Sequence, residues 1–334
     1  MELKTKYMQP TVNNIKEAAK ILKEGGLVAF PTETVYGLGA NALDDYAVSK
    51  VYIAKGRPSD NPMIVHVATA TSVADLAEEL SEDAKRVMRA FWPGPLTLVL
   101  KAKSIVPKTT TGGLDTVAIR MPDNEIALRL IKEAGVPLAG PSANLSGKPS
   151  PTKAQHVLDD LAGRIDAVIE GGPCQVGIES TILDLSTPVP VILRPGKITK
   201  EQLTEVIGLE VQLDPTLNKT PDQIGKGFKP KAPGMKYKHY APKAKMVILE
   251  GSKEAILKEI EFRKATYEGK MGVILFEDEN IDEAAHDLFA ALRHMDEKNV
   301  DLIVAAALTQ EGVGYAVMNR MLKSAGGNVL KLDK

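Results

Sequence analysis

Between residues 209 and 245 the chain loses every sustained hydrophobic period, although both flanks are clearly patterned. The body of this stretch, DPTLNKTPDQIGKGFKPKAPGMKYKHYAPKAK, is rich in Pro, Gly and Lys and reads as a linker. An unpatterned segment this long is either functional or a tether between folded units. The chain therefore divides into residues 1–208, a linker over 209–245, and residues 246–334. A length of 334 residues also fits two domains.

After the linker, apolar strands alternate with helices: strands over 246–251, 272–278 and 301–308, helices over 253–266, 281–298 and 312–325, and a closing strand NVLKL. Strict alternation predicts a small parallel, Rossmann-like α/β domain. Before the linker, strands outnumber helices. Helices are expected over 12–24, 44–54, 81–91, 123–134 and 152–161, and strands over 27–30, 63–67, 96–102, 116–121 and 136–140. DAVIEGG, STILDL and PVILRPG add more strands between 166 and 196. The surplus of strands predicts a mixed, twisted sheet rather than a purely parallel one.

Composition narrows the function. Net charge is −1, so the chain as a whole is not a polycation built for nucleic acid. Aromatics are 4%, too few for extended base stacking. The single cysteine, Cys174, excludes a disulfide framework and a cysteine zinc site. The N-terminal stretch MELKTKYMQPTVNNIKEAAK has no signal-peptide core, and no apolar run approaches the roughly 18 residues of a membrane span. The expectation is a cytoplasmic protein without a membrane segment. No Walker A loop, G-x-G-x-x-G, H-E-x-x-H or G-x-S-x-G motif is present.

Four clusters remain that could carry chemistry. PTETVYGLGANA (31–42) offers the hydroxyls of Thr32, Thr34 and Tyr36 beside glycines; an ordinary turn would look the same. KGRPSDNP (55–62) holds Lys55 and Arg57 in a loop stiffened by Pro58 and Pro62, an arrangement suited to a polyphosphate, though exposed cations are commonplace. In TVAIRMP (116–122) alternation puts Thr116, Ala118 and Arg120 on one face, where Arg120 could clamp a carboxylate or merely reach for water. GPSANLSGKPSPT (140–152) is dense in small donors of the kind that cradle anions, or is a plain loop.

At these positions the chain resembles a known family. Lys55 and Arg57 in K-x-R, with Ser142 and Asn144 in S-x-N, resemble the signature of the YrdC-type family. PTETVYGLG, RPSDNPMIVHV, FWPGPLTLVL, PSANLSGKPSPT and ESTILDL are similar to its blocks in its order, over about residues 10–207. APGMKYKHYAP (232–242) and the α/β tail resemble the long, two-domain form. The resemblance implies a catalytic domain with a concave, positive cavity. It also implies a nucleotidyltransferase that combines L-threonine, bicarbonate or CO2, and ATP into threonylcarbamoyl-AMP, releasing pyrophosphate. Mg²⁺ would accompany ATP. A separate threonylcarbamoyltransferase complex would carry the product to the adenosine beside the anticodon of tRNA, and direct tRNA binding is not required.

By the same resemblance, Lys55 and Arg57 are the catalytic pair that holds the ATP phosphates. Asn61, Thr116, Ser142, Asn144, Ser150, Arg194 and Tyr240 complete the nucleotide site. Thr34, His66, Arg120 and Ser180 contact L-threonine, with Arg120 on its carboxylate; Thr181 faces the other way along its strand. No metal ligands of the protein's own are implied. Residues 226–245, with seven lysines and no acid, would fold over the site as a lid, Tyr240 reaching inward to retain the intermediate or bicarbonate. Attack of a threonine carbamate on the α-phosphorus needs positioning and charge neutralisation, which suits a chain with no recognisable triad.

The tail offers Arg320 and Lys323 on one helix face and is expected to position the lid, while FEDENIDEAAHD reads as a solvated loop and helix start. Two other readings compete. An RNA-binding module is disfavoured by the charge and the few aromatics. A carbamoyl-phosphate-using transferase is disfavoured by the intact long-form linker and the absence of a zinc-finger or acylphosphatase-like region.

Overall fold

The structure, a computed structural model, describes residues 3–217, 219, 223–225, 228–236 and 239–332. Lys226, Tyr237 and Lys238 of the lysine-rich segment, and the last two residues of the tail, lie outside the described residues.

Two α/β units are built on separate sheets. The first sheet has eleven strands: β1 (Lys6–Met8), β2 (Val28–Phe30), β3 (Gly37–Asn41), β4 (Ile64–His66), β5 (Leu96–Lys101), β6 (Thr116–Arg120), β7 (Leu138–Ala139), β8 (Ala167–Ile169), β9 (Thr181–Asp184), β10 (Val191–Arg194) and β11 (Gln212–Leu213). Their order is β1-β8-β2-β3-β7-β4-β6-β5-β9-β10-β11. Parallel pairs such as β4 with β6 alternate with antiparallel ones such as β5 with β6, so the sheet is mixed as the strand surplus predicts. The second sheet holds β12 (Lys245–Glu250), β13 (Met271–Ile274), β14 (Leu302–Ala306) and β15 (Val329–Lys331), all parallel, in the order β13-β14-β12-β15. No helix among the described residues is long and apolar enough to cross a membrane.

The helices form where apolar spacing and caps agree. Helix Val12–Lys23 buries Ile15, Ala18, Ala19 and Leu22, and the Thr11 hydroxyl accepts from Asn14 N at its start. Helix Asp45–Lys55 is capped by Asp44 and ends where Gly56 turns left-handed at φ 61°. Lys55 is thus the last residue of a helix, and only Arg57 belongs to the stiff loop.

Three readings of the sequence are corrected. Gly37–Asn41 is a strand antiparallel to β2, not part of a turn. Its glycines escape a propensity argument because packing chose them: a Cβ on Gly37 or Gly39 would meet the Phe30 ring at 3.0 or 3.1 Å. The strand expected over 272–278 is Met271–Ile274: its last pair is Ile274 with Ala305, and Leu275 is exposed. The linker read over 209–245 holds structure among its described residues. Gln212–Leu213 adds a strand to the first sheet, and Ala232 and Met235 pack on Ile64, Val99, Ala118, Ile182 and Leu193 of its concave face. Apolar burial therefore holds Ala232 and Met235 where no period announces it.

The two units share a core. Val35 and Ile178 of the first join Tyr240, Phe289, Met318 and Met321 in one apolar cluster.

Candidate active site

The face of the first sheet that carries His66 and Arg120 lines a cavity of about 50 Å³. Its floor and walls include Thr32, Thr34, Arg57, His66, Arg120, Ser142, Asn144, Ser150, Glu179 and Arg194, and Pro233, Gly234, His239 and Tyr240 cover it.

One flank is assembled around Arg120. This side chain, 3% exposed, leaves the end of β6, donates from Nη1 to Thr34 Oγ1 at 2.8 Å and from Nε to Gly94 O at 3.3 Å, and lies 2.6 Å from Glu33 Oε1. The Glu33 approach is an ion contact rather than a directed hydrogen bond, since neither Glu33 oxygen finds a well-aligned donor. Beside it, His66 ends β4. Burial first, and Arg120 second, lower its pKa to about 3, so the ring is neutral. Its Nδ1 is buried without a partner, and a Cβ on Gly140 would sit 2.9 Å from that atom, so only glycine fits behind the ring. The hydroxyls of Thr32 and Thr34 are 2.9 Å apart. Tyr36 departs from the alternation: its ring is in the core and its hydroxyl donates to Gly172 O.

The opposite flank is the Ser/Asn/Gly-rich turn after β7. Lys55 braces it from behind. The amine donates to the carbonyls of Ser142 and Asn144, and burial, then Arg57, hold its pKa well below the usual lysine value. Lys55 is not among the cavity-lining residues; Arg57 is, held by its bonds to Asn61 O at 3.2 Å and Pro62 O at 2.8 Å. Ser150 donates to Glu179 Oε1 at 2.6 Å. Arg194, whose pKa burial lowers to about 10, donates to Ser180 O at 3.1 Å and Ser180 Oγ at 3.2 Å.

Of the site residues named from the sequence, Thr34, Arg57, His66, Arg120, Ser142, Asn144, Ser150, Arg194 and Tyr240 line one cavity. Four stand outside its lining. Lys55 braces the turn, Asn61 backs Arg57, Ser180 is committed to Arg194 and Thr97, and Thr116 sits half-buried at the far end of β6 opposite Lys101. Thr181 is turned away, its hydroxyl donating to Ile198 O.

Two family models cover the chain. Residues 20–196 match the Sua5/YciO/YrdC model, described as telomere recombination, and residues 198–326 match the threonylcarbamoyl-AMP synthase C-terminal domain. The chain belongs to the Sua5/YciO/YrdC family. It is 48% identical to the threonylcarbamoyl-AMP synthase of Pyrococcus abyssi, over 95% of this chain and 96% of that one. Its identity to the Bacillus subtilis threonylcarbamoyl-AMP synthase is 50%, over 95% and 94%. The crystal structure of P. abyssi Sua5 complexed with L-threonine matches with a TM-score of 0.93 at 45% identity, covering 98% of this chain and 99% of that one.

In this family member the cavity wall also includes Glu179, backed by two arginines of the second unit: Arg320, read from the sequence only as part of a lid-positioning helix face, and Arg293, which the sequence did not single out. Glu179 is buried in the wall, where burial raises its pKa but Arg320 and Arg194 outweigh that and hold it below the usual value. Arg320 comes from helix Gly312–Ser324 of the second unit, and donates to Glu179 Oε2 at 3.1 Å. Arg293, from helix Ile281–Glu297, donates to Asp160 Oδ2 at 2.9 Å and Pro149 O at 2.6 Å. Tyr240 has φ 62°, unusual for a bulky residue. Its ring lies 5.1 Å from that of Phe289, and burial pushes its pKa up to about 12. The sequence signal for Glu179 was its place in the ESTILDL block. Arg293 had none, since arginine on an amphipathic helix is ordinarily a surface residue.

Proposed function

We propose that the cavity joins L-threonine, bicarbonate or CO2, and ATP into threonylcarbamoyl-AMP, with release of pyrophosphate. The observation that carries this is the gathering of three buried arginines, Arg57, Arg120 and Arg194, around one covered cavity in a chain so similar to threonylcarbamoyl-AMP synthases. The substrates are a carboxylate and a polyphosphate, the two groups that guanidinium forks hold best.

Arg120 takes the threonine carboxylate, with Thr34 and His66 around the rest of the molecule. Ser180 supports this end through Arg194. Arg57, Ser142, Asn144, Ser150 and Arg194 hold ATP. Lys55, Asn61 and Thr116 act from behind or beside that wall, so the catalytic role expected of Lys55 becomes one of fixing the Ser142–Asn144 turn. The amine of threonine adds to CO2 with loss of a proton, or displaces water from bicarbonate, and the carbamate oxygen then attacks the α-phosphorus as pyrophosphate leaves. Tyr240 and its neighbours exclude water from the acyl-adenylate. Among the described residues no three His, Cys, Asp or Glu side chains form a metal cluster, so Mg²⁺ would be held by the ATP phosphates rather than by a protein cage. The product would pass to a separate threonylcarbamoyltransferase complex that modifies tRNA beside the anticodon.

Pyrophosphate release from ATP by the purified protein tests the reading. Release that requires both L-threonine and bicarbonate is expected; release indifferent to threonine would overturn it.

A further inference from the structure

We infer that Arg320, in the C-terminal unit, is a positioning residue for the nucleotide flank of the cavity, acting through Glu179 and Tyr240. The inference rests on the reading of the cavity as an ATP and L-threonine site.

Arg320 heads the fully buried side chains of the molecule by volume, with 0% exposure. A charge so placed needs a partner and a full set of acceptors. It finds them at the cavity wall. Nε donates to Glu179 Oε2, Nη1 to Pro195 O at 2.6 Å, and Nη2 to Glu179 O at 3.4 Å. Both acceptor residues adjoin the nucleotide flank. The other Glu179 oxygen takes the Ser150 hydroxyl, and Pro195 directly follows Arg194. The same guanidinium lies 5.8 Å from the centre of the Tyr240 ring. Lys323, three residues on and so on the same helix face, donates to Gly234 O at 2.7 Å. One helix face therefore grips the wall through Glu179 and Pro195 and the cover through Gly234 and Tyr240.

The geometry separates the two substrates. Thr34 and Arg120 are tied to each other and to Glu33 and Gly94, all within the N-terminal unit. Losing Arg320 frees the Glu179 carboxylate to turn on Ser150 and Arg194, where it competes with phosphate oxygens, and leaves Arg120 in place.

The test uses the full chain with Arg320→Met, Arg320→Lys, the pair Glu179→Gln with Arg320→Met, and Lys197→Ala as a control. Lys197 does not line the cavity, and its partly exposed side chain bridges to Asp282 of the second unit. Calorimetry with ATP and with L-threonine is run beside hydrogen exchange over segments 147–155 and 232–242. In Arg320→Met, ATP affinity should fall about tenfold or more while L-threonine affinity stays within about twofold, because an orphaned buried charge acts where it sits. Exchange should quicken in both segments. Arg320→Lys, which keeps the charge but not the fork, should recover part of the ATP affinity, and Lys197→Ala should resemble the parent. Equal losses for both ligands, or unchanged ATP affinity in the folded variant, would overturn the inference. If Arg320→Met does not fold, the double variant buries no lone charge and lacks the competing carboxylate: its ATP affinity should recover while exchange stays quickened in both segments, and exchange as slow as the parent's there overturns the inference. A parent protein that binds neither ligand would refute the functional reading instead, and exchange that stays unchanged in both segments would then refute the role of Arg320 independently.

Discussion

The two flanks of the cavity are finished by different parts of the chain. Around Arg120, every partner comes from the N-terminal unit: Thr34, Glu33 and Gly94. Around Ser150 and Arg194, the outer support is Arg320 and Arg293, which arrive from the C-terminal unit. The ties of the first flank lie within one fold, and the second takes part of its support from the docked second fold. On the proposed reading, the carboxylate end is thus preformed while the polyphosphate end is completed by docking. Buried ion pairs enforce this, because a single missing partner leaves a charge in a low-dielectric wall.

The largest expected effect comes from ending the chain at residue 208. Glu179 then lacks Arg320, at a cost of about 3–5 kcal/mol for breaking a buried pair, while Asp160 loses Arg293 but keeps Lys148. Against a typical stability of roughly 5–15 kcal/mol, the shortened chain should be marginal in thermal unfolding and release no pyrophosphate. Full activity in it would end the distinction between the flanks. Next, Arg120→Ala combined with Glu33→Gln, which leaves no lone charge, should weaken L-threonine binding by about a hundredfold and spare ATP. Calorimetry with each ligand checks this, and equal losses would merge the flanks.

A pH experiment sharpens the contrast. Burial, then Arg320 and Arg194, lower the Lys323 pKa to about 7, against about 10.4 for an unfolded lysine. Between those values the unfolded chain binds a proton that the folded one does not, so this group makes stability rise with pH across the window. Its penalty is full below about pH 7 and gone above about pH 10. Lys323→Met should therefore gain most in Tm over the parent near pH 6.5 and lose that advantage by pH 9.5. His66 on the other flank, at about 3, is neutral in the folded chain, so its slope lies mainly below about pH 7, where an unfolded imidazole takes up a proton. The smallest effect is assigned to Lys236→Ala. Its pair with Asp60, at 3.0 Å, is partly exposed and should cost about 0.2–1 kcal/mol in denaturant unfolding.

What the sequence disclosed follows the same division. The C-terminal alternation was legible because parallel strands buried on both faces are continuous apolar runs, as in MVILE and DLIVAAA. The signature positions were legible by resemblance, and the structure brings most of them to one cavity. Three kinds of feature escaped. Strand β3 is Gly-rich because Phe30 crosses it, a tertiary reason invisible to propensity. Helix Lys200–Ile207 carried a readable capping box, Thr199 with Gln202, that was not used. Arg293 and Arg320 look like surface charges on amphipathic helices. Their burial depends on carboxylates 133 and 141 residues away, a distance no local pattern encodes.

That last separation has a consequence for synthesis on the ribosome. Glu179 emerges long before Arg320, and at about 5–20 residues per second the wall waits roughly 7–28 s for its cation. The helix that brings it is the final one of the described chain. On the proposed reading, a nascent chain would therefore present the Arg120 flank early and complete the Ser150 and Arg194 flank only after helix Gly312–Ser324 has emerged.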